Sequence, residues 1–121
     1  MEEIVKNYFK YVNDEKLDEL FDLFDPDVDF KSPTLNVKGL ENIKPFYFSV
    51  PKFYDEHVDD PLEINISGNK AATFIEFTGK TKKGADVHMF ASDWFKIVNG
   101  KIKSLHIIFD SAYLSKALAG G

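Results

Sequence analysis

Residues 85–110 read ADVHMFASDWFKIVNGKIKSLHIIFD, and this stretch decides the fold. It contains two runs in which apolar and polar side chains alternate, joined by Asn99-Gly100, a strong signal for a two-residue hairpin turn. Two similar runs precede it, AATFIEFTGKT at 71–81 and LEINI at 62–66, and a glycine-containing turn follows each. The second half of the chain is therefore predicted to form an antiparallel meander of four strands.

The first half of the chain has the spacing of helices. Apolar side chains recur three and four residues apart in two segments: Ile4, Val5, Tyr8, Phe9 and Val12, then Leu17, Leu20, Phe21 and Phe24. Asp25-Pro26 ends the second segment, and short strands are expected at 28–31 and 35–37. A third helix is predicted at 40–49, and residues 52–61 are predicted to be a loop.

Helices first and an antiparallel sheet last is the pattern of an α+β fold, in which the helices cover one face of the sheet. The tail at 111–121 is expected to add a helical turn. The sequence has no repeat, low-complexity run or linker. Residues 1–121 are therefore predicted to be a single domain.

The composition excludes several classes of function. A net charge of -5 with scattered acids offers no basic surface for a nucleic-acid backbone. The chain has no cysteine, and its histidines lack the HxH or HExxH spacing of a metal site, so neither a metal nor a cofactor is predicted. No apolar run approaches the ~18 residues of a membrane span, and the charged N-terminus is unlike a signal peptide. A cytoplasmic location is the default expectation.

Aromatic residues are abundant, at 15% of the chain, and they allow two interpretations. The rings could fill a core, or they could line a cavity for a flat apolar ligand. On the second interpretation the side chains expected to line the cavity are Phe30, Phe46, Phe53, Tyr54, Phe77, Met89, Phe95 and Phe109.

Three stretches resemble the nuclear transport factor 2-like superfamily, and most closely its ketosteroid isomerase and SnoaL-like polyketide cyclase branch. They are LFDPDVDF at 23–30, KGLENIKPF at 38–46 and DWFKIVNGKIKSLHIIFD at 93–110. The resemblance implies a cone-shaped fold with three N-terminal helices packed on a curved, mostly antiparallel sheet around an apolar pocket. It also implies a homodimer formed through the outer face of the sheet, where Phe90 and Trp94 are expected.

The resemblance implies roles for three residues. Tyr8 falls where the isomerases carry a tyrosine that donates a hydrogen bond to the developing enolate oxygen. Asp93 falls where they carry a protonated aspartate that does the same. Ser32 occupies the position of their general-base aspartate, so the base is missing from its usual place. Taken alone, Tyr8 could equally be a core tyrosine whose hydroxyl bonds a backbone carbonyl.

Asp93 is also unusual on the evidence of its own strand. The side chains that share its side of the strand are all apolar: Val87, Met89, Ala91, Phe95 and Ile97. Burial in such a row disfavours the ionised carboxylate and raises its pKa. A neutral carboxylic acid can donate to a carbonyl oxygen. The alternative is that the carboxylate caps a loop amide, or that a bulge turns it outward.

Several other residues are candidates for the missing base. Asp110, at the end of the last predicted strand, is the best substitute because this position is often acidic in SnoaL-like proteins. His57 could act from the predicted loop, and Asp55 and Glu56 are further candidates. Ser32 could position a water or a ligand oxygen, or it could simply bond its own backbone.

Three functions fit these residues. The first is an acid–base enzyme of the isomerase or cyclase type that acts on a small apolar carbonyl compound. The second is a module that binds such a ligand without turning it over, and the missing base favours it over a strict isomerase. The third is a dimerisation domain with a filled pocket, and an unpaired acid in an apolar row argues against it.

Overall fold

A computed structural model describes residues 1–120. Its helices are α1 (Glu2–Asn13), α2 (Leu17–Phe21), α3 (Leu40–Phe53) and α4 (Ser111–Leu118). Its strands are β1 (Phe24–Lys31), β2 (Asn36–Lys38), β3 (Tyr54–Ser67), β4 (Lys70–Thr81), β5 (Asp86–Val98) and β6 (Lys101–Ile108). This is the predicted α+β arrangement of three N-terminal helices followed by the main strands. Within residues 1–120, no helix has the length and apolar character needed to cross a bilayer.

All six strands form one curved sheet in the order β2-β1-β6-β5-β4-β3. Strands β3 to β6 are the predicted antiparallel meander, and β1 joins it by pairing parallel to β6. Register shifts occur in β3 between Pro61 and Glu63 and between β5 and β6 after Lys96. Such irregularities bend a strand and increase its twist, which curves the sheet around its inner face.

The inner face of the sheet packs on the helices and forms the main core. Its largest fully buried side chains come from both layers: Val5, Leu20, Val28, Phe30, Ile43, Ile75, Ile102 and Leu105. Burying each of these side chains contributes about 1.5–3 kcal/mol, so the contact of helices with sheet is the main source of stability. The alternation predicted for β5 is observed, since Val87, Asp93, Phe95 and Ile97 are buried and their neighbours Trp94 and Lys96 are exposed.

The prediction of a loop at 52–61 is wrong. Helix α3 continues through Pro51 to Phe53, and β3 begins at Tyr54 and pairs with β4 along most of its length. The stretch is polar on both sides of the strand, so it lacks the alternation of apolar and polar residues by which a strand is recognised. Its backbone pairing with β4 nevertheless makes it the edge strand of the sheet.

Two further boundaries differ from the prediction. Helix α2 ends at Phe21, and Phe24 begins β1, where it pairs with Ile102 of β6. The tail forms eight residues of helix, α4, where a single turn was predicted. Asp110 begins this helix by accepting a hydrogen bond from the Tyr113 amide, which satisfies one of the free N–H groups of the first turn.

Candidate functional site

A cavity of about 410 Å³ lies between the inner face of the sheet and helices α1, α3 and α4. Its size suits a small organic ligand. Most of its wall is apolar: Val12, Phe46, Val50, Phe53, Phe77, Met89, Ala91, Ile107, Phe109, Leu114 and Leu118. The polar side chains on the wall are Tyr8, Thr34, Tyr47, Ser49, Tyr54, His57, Asp59, Asp93, Ser111 and Ser115.

The structure brings together nine of the residues predicted for the site. They are Tyr8, Asp93 and the candidate base His57, with Phe46, Phe53, Tyr54, Phe77, Met89 and Phe109. Phe30 and Phe95 lie in the core instead, where they pack against Phe46 and Tyr8 with ring centroids 5.2 Å apart in both pairs. They therefore support wall residues rather than form the wall, because the rings of Tyr8 and Phe9 pack against Phe95 and the ring of Phe46 packs against Phe30.

Ser32 and Asp110 also lie outside this cavity. The Ser32 hydroxyl accepts hydrogen bonds from the Leu35 amide at 3.0 Å and the Thr34 amide at 3.3 Å, so it closes the turn between β1 and β2. Asp110 is exposed, and its carboxylate accepts from the Tyr113 amide at 3.0 Å. In these positions neither side chain is placed to take a proton from a ligand in the cavity.

Two phenols meet at the inner end of the site. The hydroxyl oxygens of Tyr8 on α1 and Tyr47 on α3 are 2.8 Å apart and buried. Burial raises the pKa of both hydroxyls well above the usual value for tyrosine, and the nearby Asp93 adds to the effect. Both phenols therefore remain neutral hydrogen-bond donors at neutral pH. Tyr47 was not predicted as a site residue.

Asp93 lies on β5 with 5% of its surface exposed. Thr73 of β4 fixes its backbone from both directions, because the hydroxyl donates to the Asp93 carbonyl at 3.0 Å and accepts from its amide at 3.1 Å. Burial raises the pKa of the Asp93 carboxyl well above its usual value, and the negative charge of Asp59 raises it further. The environment therefore favours the neutral acid, as the sequence predicted.

Asp59 is the acidic residue of the site that sequence reasoning missed. It lies on the inner side of β3, and Asn13 at the end of α1 holds its backbone. The Asn13 amide donates to the Asp59 carbonyl at 2.9 Å and accepts from its N–H at 2.8 Å. Burial raises the pKa of the Asp59 carboxyl to about 6, against an opposing effect of His57. A carboxylate of this kind is suited to act as a general base near neutral pH.

His57 is the third ionisable group of β3 on the cavity wall. Its Nε2 lies 2.8 Å from a carboxylate oxygen of Glu15, and only 5% of its side chain is exposed. Asp55, two residues earlier, faces outward and forms an ion pair with Lys82 at 2.7 Å. Over the described range 1–120, no three histidine or acidic side chains come close enough together to hold a metal ion.

Comparisons with known proteins agree with this fold. A family model described as SnoaL-like domain matches residues 5–105. A search of curated proteins finds no match. An NTF2-like protein of unknown function from Burkholderia pseudomallei superposes with a TM-score of 0.87 at 18% identity, covering 96% of this chain and 95% of that chain.

Two further solved structures are similar. A candidate polyketide cyclase from Sinorhizobium meliloti is 27% identical, with a TM-score of 0.74, and the match covers 87% of this chain and 93% of that chain. TerC, co-crystallised with polyporic acid, has a TM-score of 0.86 at 18% identity, covering 97% of this chain and 96% of that chain.

Proposed function

Since this chain belongs to the SnoaL-like domain family, within the nuclear transport factor 2-like superfamily, we propose that its cavity binds a small, largely apolar carbonyl compound and catalyses proton transfer on it. One observation carries the proposal. Two carboxyl groups share one apolar cavity, and their surroundings favour different protonation states. Such a difference is how an enzyme obtains an acid and a base from the same residue type.

The carbonyl oxygen of the ligand is bound by Tyr8 and Asp93. Both groups are neutral donors, and both lie on the cavity wall beside apolar side chains. Tyr47 supports Tyr8 through the 2.8 Å contact between their hydroxyls. In an apolar cavity, donors aimed at an oxygen that becomes negative stabilise the transition state more than the ground state.

Asp59 acts as the base in this scheme. Its carboxylate takes a proton from the carbon next to the carbonyl, and the electron pair of that C–H bond forms the enolate, whose oxygen accepts from Tyr8 and Asp93. In a compound with a C=C bond β,γ to the carbonyl, the Asp59 carboxylic acid then returns the proton to the γ-carbon, which moves the double bond into conjugation with the carbonyl. Alternatively, the enolate carbon attacks a second carbonyl of the same molecule, which closes a ring, and the proton neutralises the new alkoxide.

Hydrogen exchange tests the reaction without knowledge of the natural substrate. In D₂O, the protein is expected to catalyse exchange of the methyl hydrogens of 2-acetonaphthone, measured by ¹H NMR. Asp59→Asn should reduce the rate at least about 100-fold, since a positioned base contributes that much. Asp55→Asn is the matched control on the same strand and should leave the rate unchanged. Exchange that persists in Asp59→Asn would assign the base elsewhere.

A ligand-binding module without turnover is the second candidate. It is favoured by Ser32, which stands where the family's isomerases carry their base and which bonds its own turn. The same experiment separates the two functions. Binding of 2-acetonaphthone with no exchange above background would establish the module and reject the enzyme.

A homodimer formed through the outer face of the sheet is also part of the proposal. Phe74, Phe90 and Trp94 are 42%, 50% and 52% exposed there, and the rings of Phe74 and Phe90 stack 5.2 Å apart. Exposed large apolar side chains on one face of a sheet are typical of an interface. Sedimentation at high micromolar concentration should show a dimer, and Trp94→Lys should convert it to a monomer. Phe48→Lys, on the helical side, is the control; a monomeric parent protein would contradict the proposal.

A further inference from the structure

The side chain of Asn13 bonds both backbone polar groups of Asp59. Its amide nitrogen donates to the Asp59 carbonyl at 2.9 Å, and its amide oxygen accepts from the Asp59 N–H at 2.8 Å. The two residues are 46 positions apart in the chain, so these bonds join the last residue of α1 to the middle of β3. Two bonds to one residue are the pattern that a neighbouring strand makes in an antiparallel sheet. Asn13 therefore makes the bonds that a further strand would make at this position.

These bonds lie on the free edge of the sheet. β3 is the last strand in the order β2-β1-β6-β5-β4-β3, with β4 as its neighbour. The N–H and C=O of one residue point to the same side of a strand, so both groups of Asp59 point away from β4 and towards Asn13. Pairing with β4 therefore leaves the backbone groups of Asp59 free, and Asn13 supplies the contact that holds them.

Helix α1 also carries the phenol that binds the carbonyl oxygen in the proposed reaction. Tyr8 precedes Asn13 by five residues, which is about 7.5 Å along the axis of an α-helix. The helix is fixed against the rest of the core, because Val5, Tyr8 and Phe9 are buried there. One rigid helix therefore positions the donor directly and contacts the proposed base through Asn13.

A second contact joins the same parts of α1 and β3. After Asn13 the chain reverses, with Glu15 at φ 54°, in the left-handed conformation that often follows a helix. The Glu15 carboxylate then lies 2.8 Å from Nε2 of His57, which shares the inner side of β3 with Asp59. The end of the helix and the strand thus meet at two places, and the bonds from Asn13 are the ones made to Asp59 itself.

We propose that Asn13 is a positioning residue, whose side-chain amide holds the Asp59 backbone at a set distance from Tyr8. The inference rests on the proposed function, in which Asp59 takes a proton from the carbon next to the carbonyl that Tyr8 binds. That carbon and the carbonyl oxygen are two bonds apart, so the base and the donor have to keep their relative positions. A displacement of about 1 Å in such an arrangement costs about 100-fold in rate.

Protection of the free edge is the alternative role for Asn13. An unpaired edge strand can pair with another chain, and a polar side chain bonded to it blocks that pairing. On this account Asn13→Ala should aggregate, and the protein that stays in solution should keep the kcat of the parent. That result would overturn the positioning role.

Asn13→Ala is expected to lower kcat for hydrogen exchange of 2-acetonaphthone about tenfold and to leave KM unchanged. The groups that bind the probe stay in place, and the base is present but no longer held. Exchange rates in D₂O over a range of probe concentrations, measured by ¹H NMR, give both constants. Ile102→Val is the control, because it removes a methylene from a fully buried residue that pairs with Phe24, and it should lower stability without changing kcat. An unchanged kcat in Asn13→Ala, or an equal fall in Ile102→Val, overturns the inference.

A double variant shows whether Asn13 acts through Asp59. The base is absent in Asp59→Asn, so adding Asn13→Ala should cause no further loss of rate. A further tenfold loss in the double variant would mean that Asn13 acts through another group, and the inference would be wrong.

A measurement on the free protein separates this inference from the proposed function. The Asp59 amide hydrogen should exchange with D₂O at least about tenfold faster in Asn13→Ala than in the parent, by ¹H–¹⁵N NMR, while the Phe95 amide in the middle of the sheet keeps its rate. Equal rates for the Asp59 amide would overturn the inference whatever the protein catalyses. Faster amide exchange in a protein that does not exchange the probe would reject the proposed function and reduce Asn13 to a structural contact.

Discussion

Asp59→Asn is expected to stabilise the folded protein at pH 7.5 by up to about 3 kcal/mol while it removes the proposed base. The reason is the pKa of the Asp59 carboxyl, which burial raises to about 6 from an ordinary value of 3.8. At neutral pH the carboxyl is ionised in both the folded and the unfolded chain. The charge is less favourable in the buried site than in water, so it lowers the free energy of unfolding. Asparagine has nearly the same shape and no charge, so the cost disappears.

The effect of Asp59→Asn depends on pH, and its sign is fixed. Well below pH 3.8 the parent carboxyl is protonated in both the folded and the unfolded chain, and the two proteins should be equally stable. As the pH rises from 4 through 6, the native state holds the proton longer than the unfolded state does. The parent protein therefore loses stability over this interval, and the advantage of the variant grows until it levels off above pH 6.

Urea unfolding at pH 4 and pH 7.5 measures this difference. Asp55→Asn is the control, since Asp55 is exposed and paired with Lys82, and its free energy of unfolding should change by less than about 1 kcal/mol at either pH. A variant at Asp59 that is less stable than the parent at pH 7.5 would show that the carboxylate is stabilised where it lies, contrary to the raised pKa.

The sequence predicts the architecture because each main strand has its own local signal. The strands β4, β5 and β6 alternate with period two, and Asn99-Gly100 fixes the last hairpin. The inward position of Asp93 follows from the same alternation, because five apolar residues share its side of β5. A single strand is enough for this inference, and no contact between distant elements has to be known.

The residues missed by the sequence depend on contacts between distant elements. Tyr47 becomes part of the site only because α1 and α3 bring two hydroxyls together across 39 residues of chain. Asp59 could not be predicted because the residues of β3 are polar on both sides of the strand. The strand forms through its pairing with β4, and Asn13 bonds the backbone of Asp59 at the free edge. Residues 57–62 carry no clear signal, because Asp60 interrupts the alternation that Val58 and Leu62 would otherwise give.

Asp110 illustrates the opposite case. It was predicted at the end of the last strand, but β6 ends two residues earlier and Asp110 caps the helix that follows. The direction of its side chain is set by the helix that follows, because its carboxylate satisfies the Tyr113 amide at the start of α4. The tail was expected to form a single turn, so this competing role for the carboxylate could not be anticipated from the strand alone.

Asp93→Leu is expected to raise the melting temperature by about 5 °C and to weaken binding of 2-naphthol at least about tenfold. Asp93 is 5% exposed in an apolar row, and burial is the main cause of its raised pKa. Replacing a buried acid by an apolar side chain of sufficient size is neutral or stabilising. A gain of about 1–2 kcal/mol in the free energy of unfolding corresponds to a rise of about 5 °C in the melting temperature of a domain of this size.

The loss of binding has a separate cause. The naphtholate oxygen resembles the enolate of the proposed reaction, and the Asp93 carboxylic acid donates a hydrogen bond to it. Hydrogen bonds to a charged oxygen contribute about 1.5–3 kcal/mol, which is about a tenfold to hundredfold change in affinity. The affinity is measured by naphthol fluorescence, and the melting temperature by differential scanning calorimetry on the same samples.

Asp93→Asn separates the donor from the acid in this experiment. Its amide still donates a hydrogen bond but cannot ionise, so it should retain most of the affinity for 2-naphthol. Affinity that is unchanged in Asp93→Leu would remove Asp93 from the site. A buried acid that only filled space would be replaced by leucine with a gain in stability and no loss of binding, whereas a ligand donor must give opposite effects on the two measurements.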